Sequence, residues 1–193
     1  MRELSTPVSV KPNAMRDAQK YSDWLKFKTC GDKELEKAAL AAGRWALWLK
    51  CGQQPCWLSL VGRSGTGKTH IVTRLFNWAI ERMDTHTMLW TPHVVYWPRF
   101  VQQLRSGDAF KKRDDMLRWP VLCLDDVGSE RDKTGFASEE LMTLLGCRVG
   151  RWTLLTSNLD LDGIGAIDER IADRMIRVPN VCCEINTVSF AVR

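Results

Sequence analysis

Hydrophobic positions along this chain keep two rhythms in turn, one of helices and one of short buried strands. From Leu35 through Ala38, Ala39, Ala42, Trp45 and Ala46 to Leu49 the apolar residues recur at helical spacing. Asp32 stands where an N-cap belongs, Glu34 and Glu36 fall in the first turn, and the stripe ends near Gly52. Cys56-Trp57-Leu58-Ser59-Leu60-Val61 then reads as a short buried strand. Ile71, Val72, Leu75, Phe76, Ala79 and Ile80 mark one face of a second helix, which ends near Met83-Asp84. Thr87-Met88-Leu89-Trp90 and Val94-Val95-Tyr96-Trp97 lie on either side of Pro92. One of the two is a sheet strand, and the proline argues against a single continuous one. Phe100, Val101 and Leu104 predict a short helix ending near Gly107. Further on, Pro120 to Asp126 is an apolar strand ending in acids, and 139–147 is helical with Leu141, Met142, Leu144 and Leu145 apolar. Arg151 to Asn158 is another apolar strand, 168–175 a charged helix, and Val181 to Ile185 the last strand. Strands alternating with helices are the signature of an α/β fold.

Between the first strand and the second helix stands Gly62-Arg63-Ser64-Gly65-Thr66-Gly67-Lys68-Thr69, which meets every required position of G-x-x-x-x-G-K-[ST]. Glycines there let the backbone turn tightly and bring its N–H groups against a polyphosphate. The following helix presents its N-terminus, where unpaired N–H groups and the macrodipole favour anions. Lys68 is the point charge for the β- and γ-phosphates, and Thr69 offers a hydroxyl to Mg²⁺. The strand ending in Asp125-Asp126 has the form of a Walker B element: Asp125 holds the metal side, and Asp126 sits where a water-polarising acid belongs. Asn158, at the end of its own strand, is placed to orient an attacking water or to contact the γ-phosphate.

Charge enters the picture at 97–119. Arg99, Arg105, Lys111, Lys112, Arg113 and Arg118 outnumber Asp108, Asp114 and Asp115, and Trp97, Phe100, Phe110 and Trp119 are interleaved with them. Cations with aromatic faces are what a single-stranded nucleic-acid groove requires. A solvated helix face with its aromatics turned into the core explains the same composition. Arg170 and Arg174 share a helix face at i, i+4, either paired with local carboxylates such as Asp173 or Glu169 or aimed at a neighbouring subunit's nucleotide. Residues 1–31 form a basic, aromatic leader interrupted by Pro7 and Pro12, read either as a docking segment for a partner or as a strap on the domain's own surface. The remainder, 32–193, is long enough for one domain. A net charge of +5 is a mild hint of a polyanionic partner. No apolar run reaches the length of a membrane span, and the start of the chain lacks a signal-peptide core. Seven cysteines, two of them adjacent, make a disulfide framework a poor reading, so the expectation is reduced thiols in a cytoplasmic protein.

Taken together, these stretches resemble the AAA+ ATPases of the bacterial and phage helicase-loader group, the DnaC/DnaI-like and IstB-like proteins. The resemblance covers roughly 32–193. It rests on Gly62 to His70, on Leu124-Asp125-Asp126-Val127-Gly128-Ser129-Glu130, on Leu155-Thr156-Ser157-Asn158-Leu159, and on Glu169-Arg170-Ile171-Ala172-Asp173-Arg174-Met175. It implies a P-loop NTPase fold of the ASCE type with a central parallel five-stranded sheet flanked by helices; the expected absence of the helical lid is a departure from the AAA+ pattern. It implies ATP and Mg²⁺ as cofactors, with 62–70 as the binding loop. Lys68, Asp125, Asp126 and Asn158 would be the catalytic set, with Thr69 and Asp125 on the metal. Arg174 would be an arginine finger acting in trans, with Arg170 beside it. The segment between the two motifs corresponds to the extra helical element that touches single-stranded DNA in such proteins, so Arg99, Arg105, Lys111, Lys112 and Arg113 are the candidate DNA contacts. The function implied is slow ATP hydrolysis, stimulated by assembly or DNA, in a homo-oligomer that delivers a hexameric replicative helicase. The alternative is a transposition helper that binds duplex DNA and recruits a transposase. The residues admit two further readings: a small-molecule kinase, which Asn158 and the Arg170/Arg174 box argue against, and a nucleotide-binding scaffold that barely hydrolyses, which Asp126 in place of glutamate keeps in play. Ser189 to Arg193 loosely resembles the terminal segment of loaders.

Overall fold

A computed structural model describes residues 31–82 and 93–188 of the chain. The leader over residues 1–30, the end of the second helix at Met83-Asp84, the run Thr87–Trp90 and Arg193 lie outside the described residues.

Helix α1 (Lys33–Lys50) opens on Asp32, whose carboxylate accepts from the N–H groups of Glu34 and Leu35 at 3.0 and 3.1 Å. These are two of the four donors a helix start leaves without partners. Its predicted stripe, from Leu35 to Leu49, is buried throughout. Strand β1 (Trp57–Val61) runs into the glycine loop, and α2 (Lys68–Arg82) leaves it. Next come β2 (His93–Tyr96), α3 (Trp97–Arg105), α4 (Phe110–Arg118), β3 (Val121–Val127) and α5 (Phe136–Cys147). The chain continues with β4 (Trp152–Ser157), α6 (Leu161–Ile167), α7 (Glu169–Ile176) and β5 (Val181–Glu184). Of the two candidate runs around Pro92, the one after the proline is a sheet strand, and it begins at His93.

The strands pair in the order β2-β3-β4-β1-β5, every neighbour parallel, so the expected five-stranded parallel sheet is present. Side chains of a strand alternate between faces, and the two cores follow from that alternation. Leu58, Leu60, Cys123, Leu154 and Cys183 pack under α1 and α2. Trp57, Leu122, Leu124 and Leu155 pack on the other face against Trp97, Phe100 and Leu104 of α3, Leu141, Leu144 and Leu145 of α5, and Ile171 and Met175 of α7. Trp97 and Phe100 are therefore core residues, 0% and 2% exposed, so their rings have no open face for a base to stack on.

Two features were not legible in the periodicity. Arg148 is wholly buried just past α5. Its guanidinium donates to the carbonyls of Met116, Trp119 and Trp152 and to the Thr153 hydroxyl at 2.7–2.9 Å, tying the end of α4 to the start of β4. The second is a bulge. β3 and β4 pair regularly through Leu124 with Leu155, then resume at Val127 with Ser157, so two residues of β3 face one of β4. The described cysteines are all free; Cys56, Cys123 and Cys183 are buried, and burial pushes the Cys56 thiol up to about 12.

Candidate active site

The carboxyl ends of β1, β3 and β4 gather the chemistry. Because β4 lies between β1 and β3, the glycine loop and the paired acids are separated by one strand, and Asn158 follows that strand's last residue. Open parallel sheets bind ligands in this crevice beyond their strand ends.

The loop begins with Gly62, at φ 114°, packed under the chain that follows β5. A Cβ at Gly62 would stand 2.5 Å from the Ile185 carbonyl oxygen and 2.9 Å from Asn186 Oδ1. Gly65 and Gly67 also have positive φ, at 75° and 96°. Only glycine takes such angles without strain, which is why the turn needs them. Thr66 is buried and its hydroxyl donates to the Arg63 carbonyl at 3.0 Å, while Arg63, Ser64, Thr69 and His70 are exposed. Lys68 opens α2. It is 5% exposed and folds back over the loop, donating to the carbonyls of Gly62 and Arg63 at 2.7 and 2.6 Å. Burial lowers its ammonium from 10.5 to about 8, against the opposing pull of Asp126 and Asp125.

Asp125 and Asp126 occupy the bulge. Asp125 Oδ1 accepts from the hydroxyl of Thr69, across the crevice on α2, at 3.2 Å and from the Thr156 hydroxyl at 2.6 Å. Asp126 lies in left-handed backbone, φ 64°. Its Oδ1 accepts from Ser129 at 2.7 Å and from the Asn158 amide, and its Oδ2 accepts from the Tyr96 hydroxyl at 3.3 Å. The charge of Asp126, foremost, raises the Tyr96 phenol above its ordinary value. Thus Lys68, Thr69, Asp125, Asp126 and Asn158, from three separate stretches of the sequence, lie together. Thr156, Ser129 and Tyr96 complete the cluster. Sequence reasoning passed over them because each is an ordinary polar residue at or just beyond a strand end, with no spacing rule to single it out.

The donor set suits a metal-bound polyphosphate. A glycine-rich turn, a helix N-terminus and a buried ammonium face one side. A carboxylate beside a threonine hydroxyl, oxygen ligands suited to a hard divalent cation, faces the other.

The arginines are elsewhere. Arg170 is 73% exposed at its side chain and forms a two-pronged pair with Asp168, at 3.0 and 2.7 Å. Those hydrogen bonds hold the Asp168 carboxyl below its ordinary value. Arg174 is half-buried, its Nη1 packed 3.1 Å from where a Cβ of Gly146 would stand and without a hydrogen-bond partner among the described residues. Asn180 bridges the Arg174 carbonyl to the N–H of Trp57, the first residue of β1. The main chain at Arg174 is thus anchored at the opposite end of β1 from the glycine loop, and Trp57 to Gly62 spans about 16 Å at 3.3 Å per strand residue.

Among the basic candidates, Arg99, Lys111 and Lys112 are exposed, with Lys112 5.6 Å from the Phe100 ring. Arg105 pairs with Asp132 at 3.1 Å, and Arg113 lies 3.4 Å from Asp114 and 3.5 Å from Glu140. Phe110 is half exposed beside Arg113, whereas Trp119 stacks on His93 at 3.8 Å between centroids.

No protein-family profile matches the chain. Two curated proteins of Bacillus subtilis (strain 168) are similar to it in sequence. The uncharacterized protein YqaM is 28% identical over 130 residues, 64% of this chain and 41% of YqaM; the replicative helicase loader DnaI is 29% identical over 111 residues, 54% of this chain and 34% of DnaI. The matches thus span about two fifths or less of those relatives' own length. Among solved structures, DnaI superposes with a TM-score of 0.66 at 23% identity, covering 92% of this chain and 95% of that one. The DnaC helicase loader gives 0.64 at 19%, covering 80% and 92%. The chain shares the fold of these helicase-loader structures. The replication initiator DnaA, solved with AMPPCP and single-stranded DNA, shares the fold as well, with a TM-score of 0.63 at 20% identity over 88% of this chain and 50% of DnaA. Among the described residues no helix is long and apolar enough to cross a membrane.

Proposed function

We propose that this chain is an ATP-binding and ATP-hydrolysing AAA+ protein of the helicase-loader type, acting in DNA replication on single-stranded DNA and a hexameric replicative helicase. The observation that carries the reading is the meeting of Lys68, Thr69, Asp125, Asp126 and Asn158 at the ends of three parallel strands. Likeness in sequence to DnaI and in fold to DnaI and DnaC supports the choice of partner.

In this reading the N–H groups of 62–69 and the Lys68 ammonium hold the phosphates, while Thr69 and Asp125 hold Mg²⁺. Held there, Mg²⁺ would supply neutralisation of the phosphate charge. Asp126 and Asn158, joined to each other, position and polarise the attacking water. Arg174 stands too far from its own loop to touch that loop's phosphate. Arg174 is read as serving a neighbour's site, with Arg170 exposed beside it, and hydrolysis would then depend on a homo-oligomer. A finger supplied in this way is worth about 10³–10⁵ in rate. The exposed cations Arg99, Lys111 and Lys112, with Arg105 and Arg113 at the margin and Phe110 as the open ring, are the proposed contact with single-stranded DNA.

The decisive experiment mixes the purified protein with the replicative helicase, or with a transposase, from the same source, with and without ATP and Mg²⁺. An ATP-dependent complex with the helicase that Lys68→Ala abolishes is the expected outcome. A complex with the transposase alone would move the protein to the transposition-helper class. Undiminished ATP binding by Lys68→Ala would overturn the site itself.

A further inference from the structure

Adjacent residues of a strand point to opposite faces of the sheet. Asp125 and Asp126 nevertheless serve one crevice, and the bulge that separates Leu124/Leu155 from Val127/Ser157 is what brings them there. The bulge turns Asp126 into left-handed backbone, so its N–H leaves the regular β3–β4 ladder. That N–H donates instead to the Thr156 hydroxyl oxygen at 2.8 Å. The single hydroxyl proton of Thr156 in turn goes to Asp125 Oδ1 at 2.6 Å. Thr156 is 2% exposed, so water does not compete for either bond. Its backbone lies on β4 opposite Leu60 of β1, two residues before the glycine loop begins. One side chain therefore replaces the missing ladder bond, fixes the rotation of Asp125, and references both acids to the strand that carries the phosphate loop. With Oδ1 taken by Thr69 and Thr156, no donor among the described residues reaches Oδ2 of Asp125, the oxygen left for a metal.

We propose that Thr156 is the positioning residue of this site, the group that holds the bulge and aims Asp125 and Asp126 together. The proposal rests on the ATPase reading for its catalytic consequence and on the hydrogen bonds alone for its geometric one. The test compares Thr156→Val, which keeps the shape and removes both bonds, with Thr156→Ser, which keeps the hydroxyl. Thr156→Val should lower kcat about 10²-fold, the scale of a 1 Å misplacement of catalytic groups. Its KM for ATP should stay near the wild-type value, because the phosphate loop is untouched, and half-activation should require more Mg²⁺. Thr156→Ser should restore all three parameters.

An independent readout needs no nucleotide. In the free protein, the Asp126 amide should exchange with solvent about tenfold faster or more in Thr156→Val than in wild type or Thr156→Ser, since its acceptor is gone. If Thr156→Val folds but keeps both the wild-type kcat and the wild-type Asp126 exchange rate, the proposal is wrong. A loss confined to thermal stability would equally reduce Thr156 to a packing residue. Should Thr156→Val fail to fold, Thr156→Cys against Thr156→Ser decides: a thiol is a weak donor of similar size, and equal activity in the two would overturn the proposal. Wild-type protein that neither binds nor hydrolyses ATP would remove the ATPase reading, while the exchange rates would still decide whether Thr156 holds the bulge.

Discussion

Raising the pH should loosen nucleotide binding through Lys68 well before it threatens the fold. The ammonium is buried under the loop and held at about 8 instead of 10.5. Phosphates arriving beside it favour the charged form, so the bound lysine keeps its proton to a higher pH than the free one. Between those two values the complex holds more protons than the free protein, and affinity must fall as pH rises, approaching tenfold per unit. With the free group at about 8, its protonated fraction drops from about nine-tenths at pH 7 to about one-tenth at pH 9, an expected tenfold loss of affinity. The folded state works in the opposite sense. Unfolded lysine titrates near 10.5, so from about 8 to 10.5 the unfolded chain carries the extra proton, and this group's contribution to stability rises with pH. Loss of binding over that range therefore cannot be ascribed to unfolding driven by Lys68. Isothermal titration with a non-hydrolysable ATP analogue, repeated in buffers of different ionisation enthalpy, measures both the affinity and the proton taken up. An affinity that is flat from about pH 7 to 9, with no proton uptake at the upper end, would refute the reasoning.

Arg174→Ala should bind ATP normally yet lose DNA- or assembly-stimulated turnover. Mixing it with Lys68→Ala protein should recover some activity, and no recovery at any ratio would remove the trans assignment. Replacing Lys111, Lys112 and Arg113 together by alanine should flatten the salt dependence of single-strand binding by about 1.4–2 in log–log slope, at about 0.7 per phosphate contact. The lower figure applies if Arg113 stays with Asp114 and Glu140; an unchanged slope would return these residues to a solvated face. Gly62→Ala forces a Cβ to 2.5 Å from the Ile185 carbonyl at a φ of 114°, and should destabilise the fold by about 1–3 kcal/mol in urea titrations. An unaltered midpoint would show that 185–188 yields easily.

Local rules made much of this protein legible. Asp32 caps α1 as its position before the stripe required, because a cap is decided within one turn. The glycine loop and the acids were visible because each motif is a contiguous run whose chemistry depends on neighbouring residues. Trp97 and Phe100 were harder. Composition left their rings open to DNA or to the core, and the outcome depended on α3 lying against β3, a contact between segments some twenty residues apart. Helix α6 went unannounced because it is short and its apolar residues too few to set a period.

What the sequence determined by itself was the kind of chemistry: a phosphate loop, two acids and a polar strand end, each identified by residue type and spacing. The tertiary structure decided how those parts face one another. It inserted β4 between the loop and the acids, turned Asp126 through a bulge, closed the second acid in with Tyr96, Ser129 and Asn158, and anchored Arg174 at the far end of β1. The physical reason is that strand order and register are set by which apolar faces must be buried across the whole chain, and such long-range choices leave no mark in any local run of residues.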